Sequence, residues 1–199
     1  MSAEFEARLK ALPPGRRLVA IAGAPGSGKS TLAEALSEKL PNAAVVPMDG
    51  FHYDDAVLEA RGHRARKGAP HTFDVDGLRH LLSRLKDGKA EVAIPRFDRD
   101  LEISRAGAAI VGPEHEVLLV EGNYLLLDQP PWDSLHPLFD LTAYIDVPEA
   151  ELRRRLEARW EGYSMNAAEI EAKLEENDLP NGRVIAQHSI PPDFVIPFK

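Results

Sequence analysis

The chain contains no cysteine. That excludes disulfides, a cysteine zinc site and a thiol nucleophile, and it suits a protein kept in a reducing cytoplasm. No apolar run approaches the ~18 residues needed to cross a bilayer. The N-terminal stretch Met1-Ser2-Ala3-Glu4-Phe5-Glu6-Ala7-Arg8-Leu9 lacks a hydrophobic signal core. Positive charge is in short supply. The 24 Lys and Arg against 32 Asp and Glu leave a formal net charge of −8, the wrong balance for a general nucleic-acid binder. Internal repeats and low-complexity tracts are missing. So are histidines at metal-ligand spacing, a Gly-x-Ser-x-Gly elbow and an Asn-Lys-x-Asp guanine-reading segment. These absences leave a cytoplasmic protein with no membrane or nucleic-acid partner. Its 199 residues and 44% apolar content suffice for one domain with a sizeable core.

What is present is concentrated in Gly23-Ala24-Pro25-Gly26-Ser27-Gly28-Lys29-Ser30, followed by Thr31. It fits G-x-x-x-x-G-K-[ST], the Walker A pattern. Successive backbone N–H groups must curl around a phosphate, and glycine lets the backbone approach that closely. The loop then opens a helix whose N-terminus attracts the same anion. In that pattern Lys29 reaches the β- and γ-phosphates and the Ser30 hydroxyl meets Mg²⁺. Flanking residues agree. Arg17-Leu18-Val19-Ala20-Ile21-Ala22 is a β-rich run, and Leu32, Leu36 and Leu40 repeat at helical spacing after the loop.

Further along, the first dozen residues read as a helix stopped by Pro13-Pro14-Gly15. Residues 43–48 read as a second buried strand, and residues 54–70 are mixed and charged. The spacing of Leu78, Leu81, Leu82 and Leu85 predicts a helix over 75–85, with Asp74 as N-cap. Short strands are expected at 91–95 and 108–111, which pair with the sheet or with each other as a flap. Val117-Leu118-Leu119-Val120 and residues 141–147 read as strands buried on both faces. Pro148 is expected to open a helix at its first position, and Phe194-Val195-Ile196 to form a last strand. The alternation predicts a three-layer α/β P-loop NTPase fold over residues 1–199, with a mainly parallel sheet of about five strands. A lid is expected over about 150–178 and a strand flap over about 91–112.

Ligands on such sheets bind beyond the carboxyl ends of the strands. Gly23, Asp49 and Glu121 should therefore converge. Asp49 would stand near the γ-phosphate if its strand lies beside the first. There it could accept a proton from a substrate hydroxyl, coordinate Mg²⁺, or simply form an Asp-Gly turn. Glu121 suits Mg²⁺ or its waters, or caps the turn at Gly122-Asn123. On the helix after Pro148, Arg155 and Arg159 share one face beside Leu152 and Leu156, while Arg154 points to solvent. Guanidinium groups there suit the charge of a migrating phosphoryl; the alternative is a solvated helix surface. Arg61, Arg64, Arg66, Lys67 and His71 could orient a substrate. Arg96-Phe97-Asp98-Arg99 is a better candidate for substrate contact.

Four segments resemble the uridine kinase/phosphoribulokinase/bacterial pantothenate kinase group of P-loop kinases. They are Gly23–Thr31, Met48-Asp49-Gly50-Phe51-His52, residues 66–74 (RKGAPHTFD) and Val120-Glu121-Gly122-Asn123-Tyr124-Leu125-Leu126. Residues 94–99, Arg159-Trp160 and Asn177-Asp178-Leu179-Pro180-Asn181 look like a shorter bacterial subgroup labelled fructose-transport-system or nucleoside/nucleotide kinase-like. The resemblance implies Mg·ATP-dependent phosphorylation of a small-molecule alcohol. Residues 23–31 would bind ATP. Asp49 would be the base and Lys29 the phosphate clamp. Ser30, Glu121 and Asp49 would serve Mg²⁺, with Arg155 and Arg159 in the lid. His52, Lys67, Arg96, Phe97, Glu121 and Tyr124 would join Asp49 on the acceptor side. A pantothenate-kinase-type Tyr-Ser-His and a uridine-kinase-type Tyr-Asp-Phe segment are absent around Arg96-Phe97-Asp98. A sugar-like acceptor is the first expectation, pantothenate or a nucleoside the second, and a nucleotide-dependent switch the rival from another class. The protein is expected as a monomer or homodimer.

Overall fold

The computed structural model describes residues 3–198. Met1 and Ser2, which begin the stretch read above as lacking a signal core, lie outside the described residues, as does Lys199. Among the described residues seven strands are present: β1 (Arg17–Ala22), β2 (Ala43–Pro47), β3 (Val92–Asp98), β4 (Ile103–Val111), β5 (Val117–Gly122), β6 (Leu141–Asp146) and β7 (Phe194–Pro197). Five form one sheet in the order β2-β5-β1-β6-β7, every pairing parallel. β3 and β4 pair only with each other, antiparallel, which decides the question their sequence left open.

The seven helices are α1 (Ala3–Lys10), α2 (Lys29–Lys39), α3 (Asp55–Ala60), α4 (Val75–Asp87), α5 (Glu149–Gly162), α6 (Ala167–Lys173) and α7 (Leu179–His188). They explain why the central strands are near-continuously apolar: both faces are covered. On one face Leu18, Ala20, Val46, Leu118 and Val120 meet the α4 stripe Leu78, Leu81, Leu82 and Leu85. On the other, Val19, Ile21, Leu119 and Ala143 meet Phe5 and Leu9 of α1 and Ala33 and Leu36 of α2. Each fully buried leucine contributes about 1.5–3 kcal/mol. The Asp74 carboxylate accepts from the Gly77 N–H at 2.9 Å, capping α4 as expected.

The structure corrects several local readings. α1 stops at Lys10, short of the twelve residues expected. Pro148 is the N-cap of α5, one residue before its first position. The charged stretch 54–70 holds α3 and a 3₁₀ turn over Arg64–Arg66. β2 lies beside β5, which separates it from β1, so the β1–β2 adjacency on which the placing of Asp49 was conditioned is not met. A parallel crossover need not return to the neighbouring position, and strand order is not encoded locally.

Asp49 and Gly50 sit in a 3₁₀ turn, Met48–Phe51, at the end of β2. A Cβ on Gly50 would come within 2.6 Å of the Pro95 carbonyl oxygen, so this turn is pressed directly against the β3 backbone. Gly50→Ala is expected to cost about 1–3 kcal/mol through overpacking. The urea midpoint should fall at constant m-value; an unchanged midpoint would mean that the turn and hairpin do not touch.

Candidate active site

The Walker A loop joins β1 to α2. Gly26 and Gly28 have φ of 79° and 92°, a left-handed conformation that side chains strongly disfavour. First-turn N–H groups of a helix have no intrahelical partner, and at the start of α2 no N-cap side chain supplies one. Lys29 is only 7% exposed. Its ammonium donates to the Ala24 carbonyl at 3.0 Å and lies 3.5 Å from Ser27 Oγ. Burial pulls its pKa down to about 8, against the pull of Glu121 and Asp49.

Glu121 pairs in register with Ile21 of β1 and Pro47 of β2, which brings it between the phosphate loop and the turn bearing Asp49. Burial, and then the Asp49 charge, raise Glu121 to about 7; Lys29 and a hydrogen bond from Ser30 oppose the rise. Asp49 goes the other way. Its burial is outweighed by Arg99, His52 and Lys29, and it stays ionised well below the usual carboxylate range. Arg99, at the tip of the β3–β4 hairpin, is its direct ion-pair partner. Ser30, Glu121 and Asp49 are hard oxygen donors. Among the described residues no three His, Cys, Asp or Glu side chains cluster tightly enough to ligate a metal alone. A hard divalent cation would need phosphate oxygens to complete its shell, as Mg²⁺ usually does. The residues present fit a nucleotide triphosphate carrying such a cation.

These groups line one cleft. Its floor is the phosphate loop, Glu121 and Asp49; its walls bring in His52, Lys67, Phe97 and Arg99 on one side and Arg159, Trp160 and Lys173 on the other. Residues 19–177 match a family model described as an AAA domain. A Schizosaccharomyces pombe protein described as a candidate uridine kinase is 36% identical over 196 residues, covering 91% of this chain and 83% of that one. A pantothenate kinase of Parvibaculum lavamentivorans is 34% identical over 149 residues, 69% of this chain but 46% of its own length. The crystal structure of a candidate fructose transport system kinase from Silicibacter sp. TM1040 superposes with a TM-score of 0.93 at 45% identity, covering 99% of this chain and 100% of that one. This chain belongs to the P-loop kinases of the uridine kinase and pantothenate kinase group. It is a phosphotransferase of a family that uses ATP.

Not every residue expected at this kinase's site reaches the cleft. Arg96 faces a separate groove beside Glu34, Glu38 and His115, because alternate residues of a strand project to opposite sides. Tyr124 is fully buried, packed edge-on against Phe73 and tilted against Trp132, and donates its hydroxyl to the Gly68 carbonyl at 2.6 Å. Arg155 grips the outside of the phosphate loop. Its guanidinium donates to the Gly26 and Ser27 carbonyls at 3.3 and 3.4 Å, and Glu151 holds it from one turn back. Arg159, one turn further along α5, does line the cleft. Arg154 pairs with Glu151 in solvent, as expected.

Lys67 lies in the cleft wall, bonded to Asp55 at 2.7 Å and to the Glu102 carbonyl at 2.7 Å, above the Phe97 ring. The cleft wall also holds residues not singled out as site residues by sequence, among them Glu102, Asn123, Trp160, Lys173, Asn177, Asp178 and Asn181. Asp178 accepts from Trp160 Nε1 at 2.8 Å, and burial raises its pKa. The only signal for Asn177 and Asp178 was the segment 177–181, whose polar residues sit in an otherwise helical stretch.

His52 is sandwiched against Phe73 and Phe97, with Nδ1 buried and without a hydrogen-bond partner. Burial pushes its pKa down to about 4. A depressed folded-state pKa means the unfolded chain binds more protons between about 4 and the ordinary 6.5. Stability held above 6.5 should therefore be lost as pH falls through that window. Unfolding free energies of the nucleotide-free protein should show a smaller acid loss for His52→Gln than for the wild type. Parallel curves would mean that His52 is solvated.

Proposed function

We propose that this kinase transfers the γ-phosphoryl group of Mg·ATP to a hydroxyl of a sugar or sugar-like alcohol. The observation that carries the reading is the ionised Asp49 carboxylate at one cleft floor with Glu121 and the buried Lys29. Lys29 and the loop amides of Gly26, Gly28 and Ser30 would bind the β- and γ-phosphates. Ser30 and Glu121 would hold Mg²⁺, directly or through water, with Asp49 close by. The cation, when bound, neutralises charge shared by the phosphates. Its arrival would also favour the ionised form of Glu121.

Asp49 would accept the proton of the acceptor hydroxyl as that oxygen attacks in line. Arg99 keeps Asp49 ionised and fixes its direction. Arg159 would stabilise the charge of the moving phosphoryl, while Arg155 holds the phosphate loop from behind. The acceptor would lie between Lys67, His52 and Phe97. An aromatic face beside several hydrogen-bonding groups suits a polyhydroxy compound, which supports a sugar over a flatter or more apolar alcohol. Residues 92–111 would act as a flap carrying Arg99, and residues 149–178 as the lid that excludes water.

The first test is ADP release with Mg·ATP against sugars, nucleosides and pantothenate. One compound should stimulate turnover. Lys29→Ala should abolish it. Asp49→Asn should lower kcat by about 10²–10⁴, the range for a general base, with the Kd of Mg·ADP nearly unchanged. Arg99→Ala should lower kcat/KM, whereas Arg96→Ala should leave it within about twofold. Near-normal kcat in Asp49→Asn would refute the base assignment. ATP hydrolysis that no alcohol stimulates would favour a nucleotide-dependent switch.

A further inference from the structure

Between α6 and α7 the helix widens into a π turn over Leu174–Asp178. Such turns are rare and recur at functional sites. Here the wider turn brings two adjacent side chains, Asn177 and Asp178, into the protein on different neighbours. Asp178 holds Trp160 of α5. Asn177 Nδ2 donates to the Lys67 carbonyl at 3.0 Å. One turn on, Asn181 Nδ2 donates to the Gly68 carbonyl at 3.4 Å and to Asn177 Oδ1 at 3.1 Å. Asn181 Oδ1 accepts from Arg66 at 3.3 Å, and Arg66 also donates to the Glu176 carbonyl at 2.6 Å. Asn177 and Asn181 are 9% and 2% exposed.

We infer that Asn177 and Asn181 are positioning residues that set Lys67 for the acceptor, tying the loop that carries it to the lid. The inference rests on the proposed reading of Lys67 as an acceptor contact. Two buried carboxamides, joined by the Asn181 Nδ2 to Asn177 Oδ1 bond, grip two successive carbonyls. Gly68 between them has φ of 101°, and a Cβ there would come within 3.5 Å of Asn177 Nδ2. The Lys67 backbone is thus held from the lid, while its ammonium is held by Asp55 and the Glu102 carbonyl of the hairpin. A flexible four-carbon side chain fixed at both ends has little freedom left to misplace its charge. The hydrogen bonds of both asparagines go to Lys67, Gly68, Arg66 and each other rather than to the phosphate loop, so the effect should fall on the acceptor and spare the nucleotide.

The test compares wild type, Asn177→Ala, Asn177→Gln and Arg66→Ala. It measures hydrogen exchange at the amides of residues 67–69, calorimetric Kd for Mg·ADP, and kinetics with whichever alcohol of the panel is turned over. Asn177→Ala should speed exchange at 67–69 and raise the acceptor KM about fivefold or more, the worth of one lost hydrogen bond. Its kcat and Mg·ADP Kd should stay within about twofold. Asn177→Gln, which keeps a donor, should recover part of the loss. Arg66 is exposed, so Arg66→Ala should fold and shift the same readouts less, even if Asn177→Ala does not fold. Unchanged exchange overturns the inference. So does faster exchange with an unchanged acceptor KM, or a joint rise in acceptor KM and Mg·ADP Kd. Where no alcohol of the panel is turned over by the wild type, the proposed acceptor class fails separately. Exchange and Mg·ADP binding then decide the tie between lid and loop by themselves.

Discussion

Three charges taken out of water at the mouth of one parallel sheet govern this molecule. Lys29 and Glu121 are buried and Asp49 is largely covered, so the three are too close to ignore one another and solvent screens them only weakly. Each answers differently. Lys29 loses affinity for its proton, Glu121 gains it, and Asp49, gripped by Arg99, stays charged. The cleft therefore gathers charges in strong mutual tension, which suits a polyphosphate and its counter-cation. Stabilisation of this kind is strong because the groups are already oriented and need little reorganisation.

The rest of the fold keeps that cluster in place. β5 sits between β1 and β2, so the strand bearing Glu121 has the phosphate loop on one side and the Asp49 turn on the other. The Asp49 turn is pressed against Pro95 of the hairpin, which carries Arg99. Arg155 braces the phosphate loop from outside, and Trp160 and Asp178 join the helices of the opposite wall. Charged groups held at the end of a rigid sheet keep a fixed geometry toward whatever enters the cleft.

Residues whose chemistry depends on neighbours in the chain could be read directly. The phosphate loop is nine consecutive residues, and its glycines and lysine are needed by local backbone geometry. The parallel sheet followed from apolar runs alternating with helical spacing, and the α4 stripe from four leucines. Asp49 and Glu121 stood out because each adjoins a strand end. Arg96 and Tyr124 did not come out as expected. A one-residue change along a strand reverses its direction, so the hairpin register sends Arg96 away and leaves Phe97 and Arg99 in the cleft wall. Tyr124 lies just past a strand end too, but a large aromatic ring next to Phe73 and Trp132 gains more from burial than from a place at the surface.

By itself the sequence determined the fold class, the nucleotide-binding loop and the two acidic positions at its rim, because period, turn chemistry and motif spacing act over short stretches of chain. Tertiary structure alone decided that β2 lies beside β5, that Arg99 is the partner of Asp49, and that Arg155 stands behind the loop while Arg159 faces it. It also decided that Asn177 and Asn181 reach across more than 100 residues to the carbonyls of Lys67 and Gly68. Strand order, helix phase and a single π turn depend on how distant surfaces meet, and no short window of sequence carries that information.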